Sequence, residues 1–182
     1  MKTGSALCGA YFESMRKGLV LFSAVLALGL FLLLFSVGVL TLSPGGGQIL
    51  FSRIVKPGDT FQLAYLHSVA LSDVREFFVI DSQYRIVLVE TRFQGQGAGL
   101  PYNAAKGEQL HREGDWFRIT GMRRVVPSIF WRVQSQWRNR FGFGNEPELN
   151  ISDKVGDALI HIQIQKINLA KWLGISFKSR DL

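Results

Sequence analysis

The chain has 182 residues, with 21 Lys and Arg against 14 Asp and Glu, for a formal charge of +7. That length allows one ordinary domain plus an anchoring or targeting element. A single cysteine, Cys8, excludes an intrachain disulfide, and no hydrophobic region precedes it, as a lipidated cysteine would require. The basic balance suits nucleic acid, an anionic membrane surface or plain solubility, and the compartment decides among these.

Gly18 to Leu42 carries no charged residue. A span needs about 20 apolar residues, so this run predicts a transmembrane helix with room for some tilt. A secretory signal peptide is the competing reading. The run is longer than a signal peptide's apolar region and no Ala-x-Ala follows it, which favours an uncleaved anchor. Ser43-Pro44-Gly45-Gly46-Gly47 reads as its end and as a flexible linker, so the segments are residues 1–17, the anchor 18–42, the linker 43–47, a β domain 48–166 and a tail 167–182. Lys2, Arg16 and Lys17 precede the apolar run, and the first basic residue after it is Arg53. The positive-inside rule then expects the N-terminus in the cytoplasm and the β domain outside it, as a single-pass protein of the cytoplasmic membrane. On that topology nucleic acid is not expected as a partner.

After the linker the pattern is of short strands. Gln48 to Val55 alternates loosely and Lys56-Pro57-Gly58-Asp59 is a turn by composition. Phe61 to Val69 puts Phe61, Leu63, Tyr65, His67 and Val69 on one face. Arg75 to Ile80 follows a tight turn at Leu71-Ser72, and Tyr84 to Phe93 follows Asp81-Ser82-Gln83. Regular alternation sets Ile86 and Leu88 on one face with Glu90 and Arg92, and Val87, Val89 and Phe93 on the other. Trp116 to Ile119, Ser128 to Val133 and Ala158 to Gln165 are further strands, the last with clean alternation of Ile160, Ile162 and Ile164. Phe141 to Pro147 reads as a loop from its Gly and Pro content. Such spacing, with almost no helical periodicity, predicts an all-β domain, a compact antiparallel sandwich or barrel behind one N-terminal helix. In the tail, Leu169, Trp172, Leu173, Ile175 and Phe177 alternate with Lys171, Lys178 and Arg180. A short interfacial or partner-binding helix and a packed terminal segment both fit.

The polar chemistry concentrates in the hairpin. A turn at Leu71-Ser72 sets His67 opposite Glu76 and Ser68 opposite Arg75, with Tyr65 and Phe78 one pair farther out. A histidine–carboxylate pair can orient a base, hold a metal ligand or brace two strands. Ser68 and His67 would point to opposite faces of a regular strand, which argues against a serine hydrolase. The three histidines, His67, His111 and His161, stand at no ligand spacing, so no metal is expected. Gln94-Gly95-Gln96-Gly97-Ala98-Gly99-Leu100-Pro101 precedes no helix pattern and lacks Gly-Lys-Ser/Thr, so it is neither a dinucleotide fingerprint nor a P-loop, and no cofactor is expected. It is a tight connection, or a backbone-lined rim of a site. The candidate ligand-binding residues are Tyr65, His67, Glu76, Gly97, Gly99 and Pro101, with no catalytic assignment. Arg123, Arg124, Trp131, Arg132, Trp137, Arg138 and Arg140 form either a surface facing protein or phospholipid, or a solvated strand-and-turn face.

Tyr65-x-His67-Ser68-Val69, Glu76-x-Phe78-x-Ile80, Phe93 and Gly97-Ala98-Gly99-Leu100-Pro101 together resemble the bacterial family called domain of unknown function 1850, over Gln48 to Gln165. The resemblance implies a small extracytoplasmic β domain, of a kind encoded beside the fused membrane component of TRAP transporters of the TAXI type. An accessory role in such solute uptake, with the transporter's membrane subunit as partner, is what it leads one to expect. The stretch from Trp131 to Arg140 and the long anchor depart from the common arrangement without touching the motif positions.

Overall fold

The computed structural model describes residues 4–45, 48–95, 99–101 and 103–179; for residues 4–12, 14 and 176–179 only the backbone is described. The chain opens with α1 (Gly4–Leu34), whose Met15–Leu34 segment is long and apolar enough to cross a membrane and is packed against almost nothing. Twelve strands follow among the described residues: β1 (Ser36–Pro44), β2 (Phe51–Val55), β3 (Thr60–Leu66), β4 (Asp73–Ile80), β5 (Ile86–Gln94), β6 (Gln109–Glu113), β7 (Trp116–Thr120), β8 (Arg124–Val126), β9 (Ile129–Val133), β10 (Arg140–Phe143), β11 (Leu149–Asn150) and β12 (Ala158–Asn168). Two short helices complete the chain, α2 (Ile151–Val155) and α3 (Leu169–Ser179).

The strands make two antiparallel sheets stacked as a sandwich. One has the order β2-β1-β12-β9, the other β11-β10-β3-β4-β5-β7-β6, with β8 also pairing β5. Their facing sides interdigitate. Leu40, Leu42, Ile160, Ile162 and Val133 from the first meet Phe61, Leu63, Phe78, Ile80, Ile86 and Phe141 from the second. A smaller cluster of Val74, Phe93, Leu100, Ile119 and Met122 fills the end beneath the glycine loop.

The apolar run beyond Leu34 is not membrane helix. Ser36–Pro44 is a central strand of the smaller sheet, paired along its whole length with β12 and on its other side with β2. Gly38 to Leu42 is buried on both faces. A strand covered on both sides is a continuous apolar stretch, and by composition it merges with the helix before it. β-branched Val37, Val39 and Thr41 suit the pleated backbone. The apolar helix, expected to run to Leu42, therefore ends at Leu34, and residues 43–45 are not linker: Pro44 pairs with Ile160, and the Gly45 amide donates to the Leu159 carbonyl at 3.3 Å. Gly46 and Gly47 lie outside the described residues.

Two local departures from regular alternation set which side chains meet. The hairpin between β3 and β4 closes through residues 67–72, not a two-residue turn, so Leu66 pairs with Asp73 and Tyr65 with Val74. In β5 a bulge shifts the register where Phe77 pairs with Glu90 and Phe78 with Leu88, leaving Val89 as the extra residue. The bulge keeps Ile86 and Leu88 in the core with Phe93, while Glu90 and Arg92 turn to the outer face; regular alternation had grouped Ile86 and Leu88 with Glu90 and Arg92. The segment 141–147, read as a loop, contributes Phe141, Gly142 and Phe143 to β10, beside β3. The tail, expected from residue 167, begins in β12 with Ile167 and Asn168 and is helical from Leu169 to Ser179. The Leu169 amide donates to the Phe35 carbonyl at 3.0 Å, and α3 packs against α1, β1 and β2.

Candidate functional site

Residue types alone made the β3–β4 hairpin the centre of interest, and its geometry differs from simple pairing. Glu76 sits opposite Leu63, and His67 is outside the ladder. The expected His67–Glu76 cross-strand contact is therefore absent, and Phe78 pairs with Phe61 rather than Tyr65. The reason is the six-residue loop, which moves Glu76 from the level of His67 to that of Leu63. Tyr65 and Glu76 now occupy diagonal positions on the core-facing side, within reach of each other across the two strands.

His67 is fixed by its own loop. The His67 amide donates to the Ser72 carbonyl and the Leu71 amide donates to the His67 carbonyl, each at 2.8 Å. Its Nδ1 accepts from the amides of Val69 at 3.3 Å and Ala70 at 3.1 Å. With Nδ1 occupied as an acceptor, Nε2 is the ring's remaining polar atom. It faces Gly99: a Cβ built there would lie 3.2 Å from Nε2. Gly99 has φ +89, a conformation that favours glycine, and a side chain there would press on the imidazole. This brings the glycine loop against the imidazole. Pro101 is exposed and does not line the cleft, and Gly97 lies outside the described residues.

A cleft of about 400 Å³ opens where the end of the larger sheet meets the edge of the smaller one. Tyr65, His67, Ser68 and Glu76 line one side; Phe130, Trp131, Arg132, Gln134 and Trp137 line the other. Ser68 and His67 thus share this lining because both lie beyond the regular strand, where the alternation that would separate them no longer applies. The hydrogen bonds place Nδ1 on backbone amides, not on the serine.

Burial shifts two titratable groups on the floor of the cleft. Burial pushes the Glu76 carboxyl above the ordinary carboxylate range. Burial, and secondarily the nearby Glu76 charge, push the Tyr65 hydroxyl upward as well. The Glu76 carboxyl and the Tyr65 phenol give the floor of the cleft two hydrogen-bonding groups. Arg132 on the opposite side supplies a cation.

The opposite wall is held by a small polar core. Asn139, nearly inaccessible to solvent, accepts from the Gln134 amide at 3.1 Å and donates its own backbone amide to Ser152 Oγ at 2.8 Å. Trp137 Nε1 donates to Gln134 Oε1 at 2.9 Å. Arg138, with φ 47, lets the chain turn from a single 3-10 turn into β10. These contacts give the tryptophan wall a fixed position.

A model of the domain of unknown function DUF1850 matches residues 61–151, half of the chain. The chain belongs to this family. No curated protein and no solved structure matches it. The family's match takes in both walls of the cleft, from β3 to the start of α2. The smaller sheet's other three strands, β1, β2 and β12, and the membrane-length helix lie outside it.

Sequence reasoning singled out Tyr65, His67 and Glu76, and the structure brings all three to one cleft. It did not connect Trp131 and Trp137 with them. Trp131 comes from the other sheet and Trp137 from the 3-10 turn after it, and their signal in the sequence, two aromatics among arginines, is equally that of an exposed surface. No group of three or more His, Cys, Asp or Glu converges as a metal-ligand set among the described residues.

Proposed function

We propose that this chain is a membrane-tethered binding domain whose inter-sheet cleft takes a small polar ligand with a flat or apolar part. The observation that carries this reading is the convergence of Tyr65, His67 and Glu76 with Trp131 and Trp137 around one open cleft of about 400 Å³. A few polar groups among aromatic walls, in a volume of this order, are the usual composition of a small-molecule site. The hydrogen-bonding floor favours hydroxyl or amide groups, and Arg132 favours a carboxylate at the rim.

The physiological partner in this proposal is a TRAP-type solute transporter of the TAXI kind, to which the domain is an accessory. The motif resemblance around Tyr65, His67 and Glu76 supports it, as does the apolar helix leading straight into the domain. The basic residues before that helix support a domain held outside the cytoplasm.

Thermal unfolding of the detergent-solubilised chain against a panel of small polar solutes tests the ligand reading. A stabilising solute should lose its effect in Glu76→Gln and Trp131→Ala while unfolding stays cooperative. Retained stabilisation in both variants refutes the assignment of the cleft. Mild crosslinking in membranes tests the partner reading, and recovery of the chain without any transporter subunit overturns it.

A further inference from the structure

The outer face of the larger sheet carries an arrangement that the cleft does not use. Strand register places Arg140 opposite Ala64, Ala64 opposite Arg75, Arg75 opposite Arg92, Arg92 opposite Arg118 and Arg118 opposite His111. Four arginines thus stand in one row across the sheet, three of them on adjacent strands. Like charges directly opposite one another in a sheet oppose its formation. Two carboxylates hold the row together. Glu90 accepts from Arg92 Nε at 2.5 Å and from Arg118 at 2.8 Å; Glu148 contacts Arg75 at 3.4 Å and Arg140 at 3.3 Å. Although burial pushes the Glu90 carboxyl up, the hydrogen bonds from Arg118 and Arg92 hold it below the ordinary range.

The guanidinium groups are not used up by these contacts. Arg118 Nε and Arg140 Nε are buried and have no acceptor among the described residues. Beside Arg118 lies a depression of about 390 Å³, lined by Arg75, Arg92, Arg118, Phe77 and Trp116. The Arg92 guanidinium lies 4.9 Å from the centre of the Phe77 ring, which fixes its plane over an aromatic floor. Three planar cations held in position by partly buried carboxylates, with Arg92 over the Phe77 ring, match the recognition of oxyanions by arginine forks.

We propose that this depression is a second ligand site, distinct from the inter-sheet cleft, which binds a small multivalent oxyanion through Arg75, Arg92 and Arg118. The chemistry is shared by polycarboxylates and by phosphate-bearing molecules. Either group neutralises the row and supplies acceptors to the guanidinium groups that line the depression. Phe77 and Trp116 favour anions that also carry an apolar or planar part. Glu113, largely exposed at the margin, contributes the only negative charge lining the depression among the described residues, and it opposes such a ligand.

The test is calorimetric titration of the full chain in neutral detergent with two probes, citrate and pyrophosphate, at matched ionic strength. Saturable binding of at least one is expected, and their ranking tells polycarboxylate from phosphate. Arg118→Lys should weaken that binding about tenfold or more, since an ammonium keeps the charge and loses the fork. Glu113→Gln should strengthen it several-fold, a gain that misfolding cannot imitate. Glu76→Gln, in the other cleft, should leave it unchanged. The proposal is overturned if neither probe binds. It is equally overturned if binding is the same in Arg118→Lys and Glu113→Gln as in the parent chain, which is the behaviour of diffuse charge.

Discussion

Gly38→Ala gives opposite results for a strand inside the domain and for a turn of membrane helix. In the structure Gly38 lies in β1, paired with Lys166 and Val55, and the ring of Tyr84 rests on it. A Cβ added at Gly38 would stand 2.5 Å from Tyr84 Cε1, where carbon atoms pack at about 3.5–4.0 Å. The ring has little freedom to retreat. Tyr84 has φ 61 in a turn pinned by Asp81, whose Oδ1 accepts from the amides of Gln83 and Arg85 at 2.8 and 2.9 Å. Lys166 Nζ lies 5.2 Å from the centre of the same ring. Overpacking of this kind costs about 1–3 kcal/mol, which for a domain of this size lowers Tm by roughly 3–12 °C. In a helix the same change would be favourable by about 1 kcal/mol, since alanine is the better helix former. The assay is urea or thermal unfolding of the detergent-solubilised chain, followed by near-ultraviolet circular dichroism. Tyr84→Ala alone should also destabilise, and the double variant should recover most of the Gly38→Ala cost, because the clash needs both partners. An unchanged or raised Tm for Gly38→Ala, or strict additivity in the double variant, would refute the placement of Tyr84 over β1.

Leu42→Ala empties a fully buried position between the sheets and should cost about 2–5 kcal/mol, read from the urea midpoint; a loss well under 1 kcal/mol would remove Leu42 from the core. Glu76 makes stability pH-dependent. Its native carboxyl holds a proton more tightly than the unfolded chain does, so stability is highest below the ordinary value of 4.5 and falls as pH rises through the raised native value. Glu76→Gln should flatten that fall as pH rises above 4.5, as seen in urea midpoints at successive pH values; an unchanged slope sinks the argument. Gly99→Ala combines a positive φ with a close approach to His67 Nε2, and should cost about 1 kcal/mol or more. It should also move the His67 ring resonances in a proton–nitrogen correlation spectrum, whereas Gly58→Ala, strained but open, should leave them in place.

The fold class was legible because most strands here have one face in the core and one in water. Ala158–Asn168 alternates Ile160, Ile162 and Ile164 with polar residues, and the structure buries the isoleucines at 160 and 162 completely. β1 was illegible for the complementary reason. With both faces covered, it has no polar partner residues to mark its period, and it borrows the appearance of the helix before it. The cleft was half legible. Tyr65, His67 and Glu76 stand out as polar residues in an apolar hairpin, but their mutual placement depends on a loop length that residue types do not fix. The bulge at Val89 has no signature of its own in Val87-Leu88-Val89-Glu90, though it decides that Glu90 and Arg92 reach the outer face. The arginine row is more distant still from the sequence. Its members are spread from residue 75 to residue 140, and only the register of five neighbouring strands aligns them.

The pairing of β1 with β12 joins the first strand of the domain to the last, with 113 residues between Pro44 and Ala158. The smaller sheet therefore cannot close until nearly the whole chain has been made. During synthesis, β1 is an apolar strand whose β12 edge stays open, the kind of element that pairs wrongly with neighbours. Biogenesis then favours either rapid delivery of the C-terminal strand or a chaperone occupying the β1 edge in the interval. Truncation anywhere before residue 158 releases the same edge. Chains cut between Asn150 and Ala158 should turn over quickly although they keep every strand of the larger sheet, so that the quality control of this domain is read at its last strand.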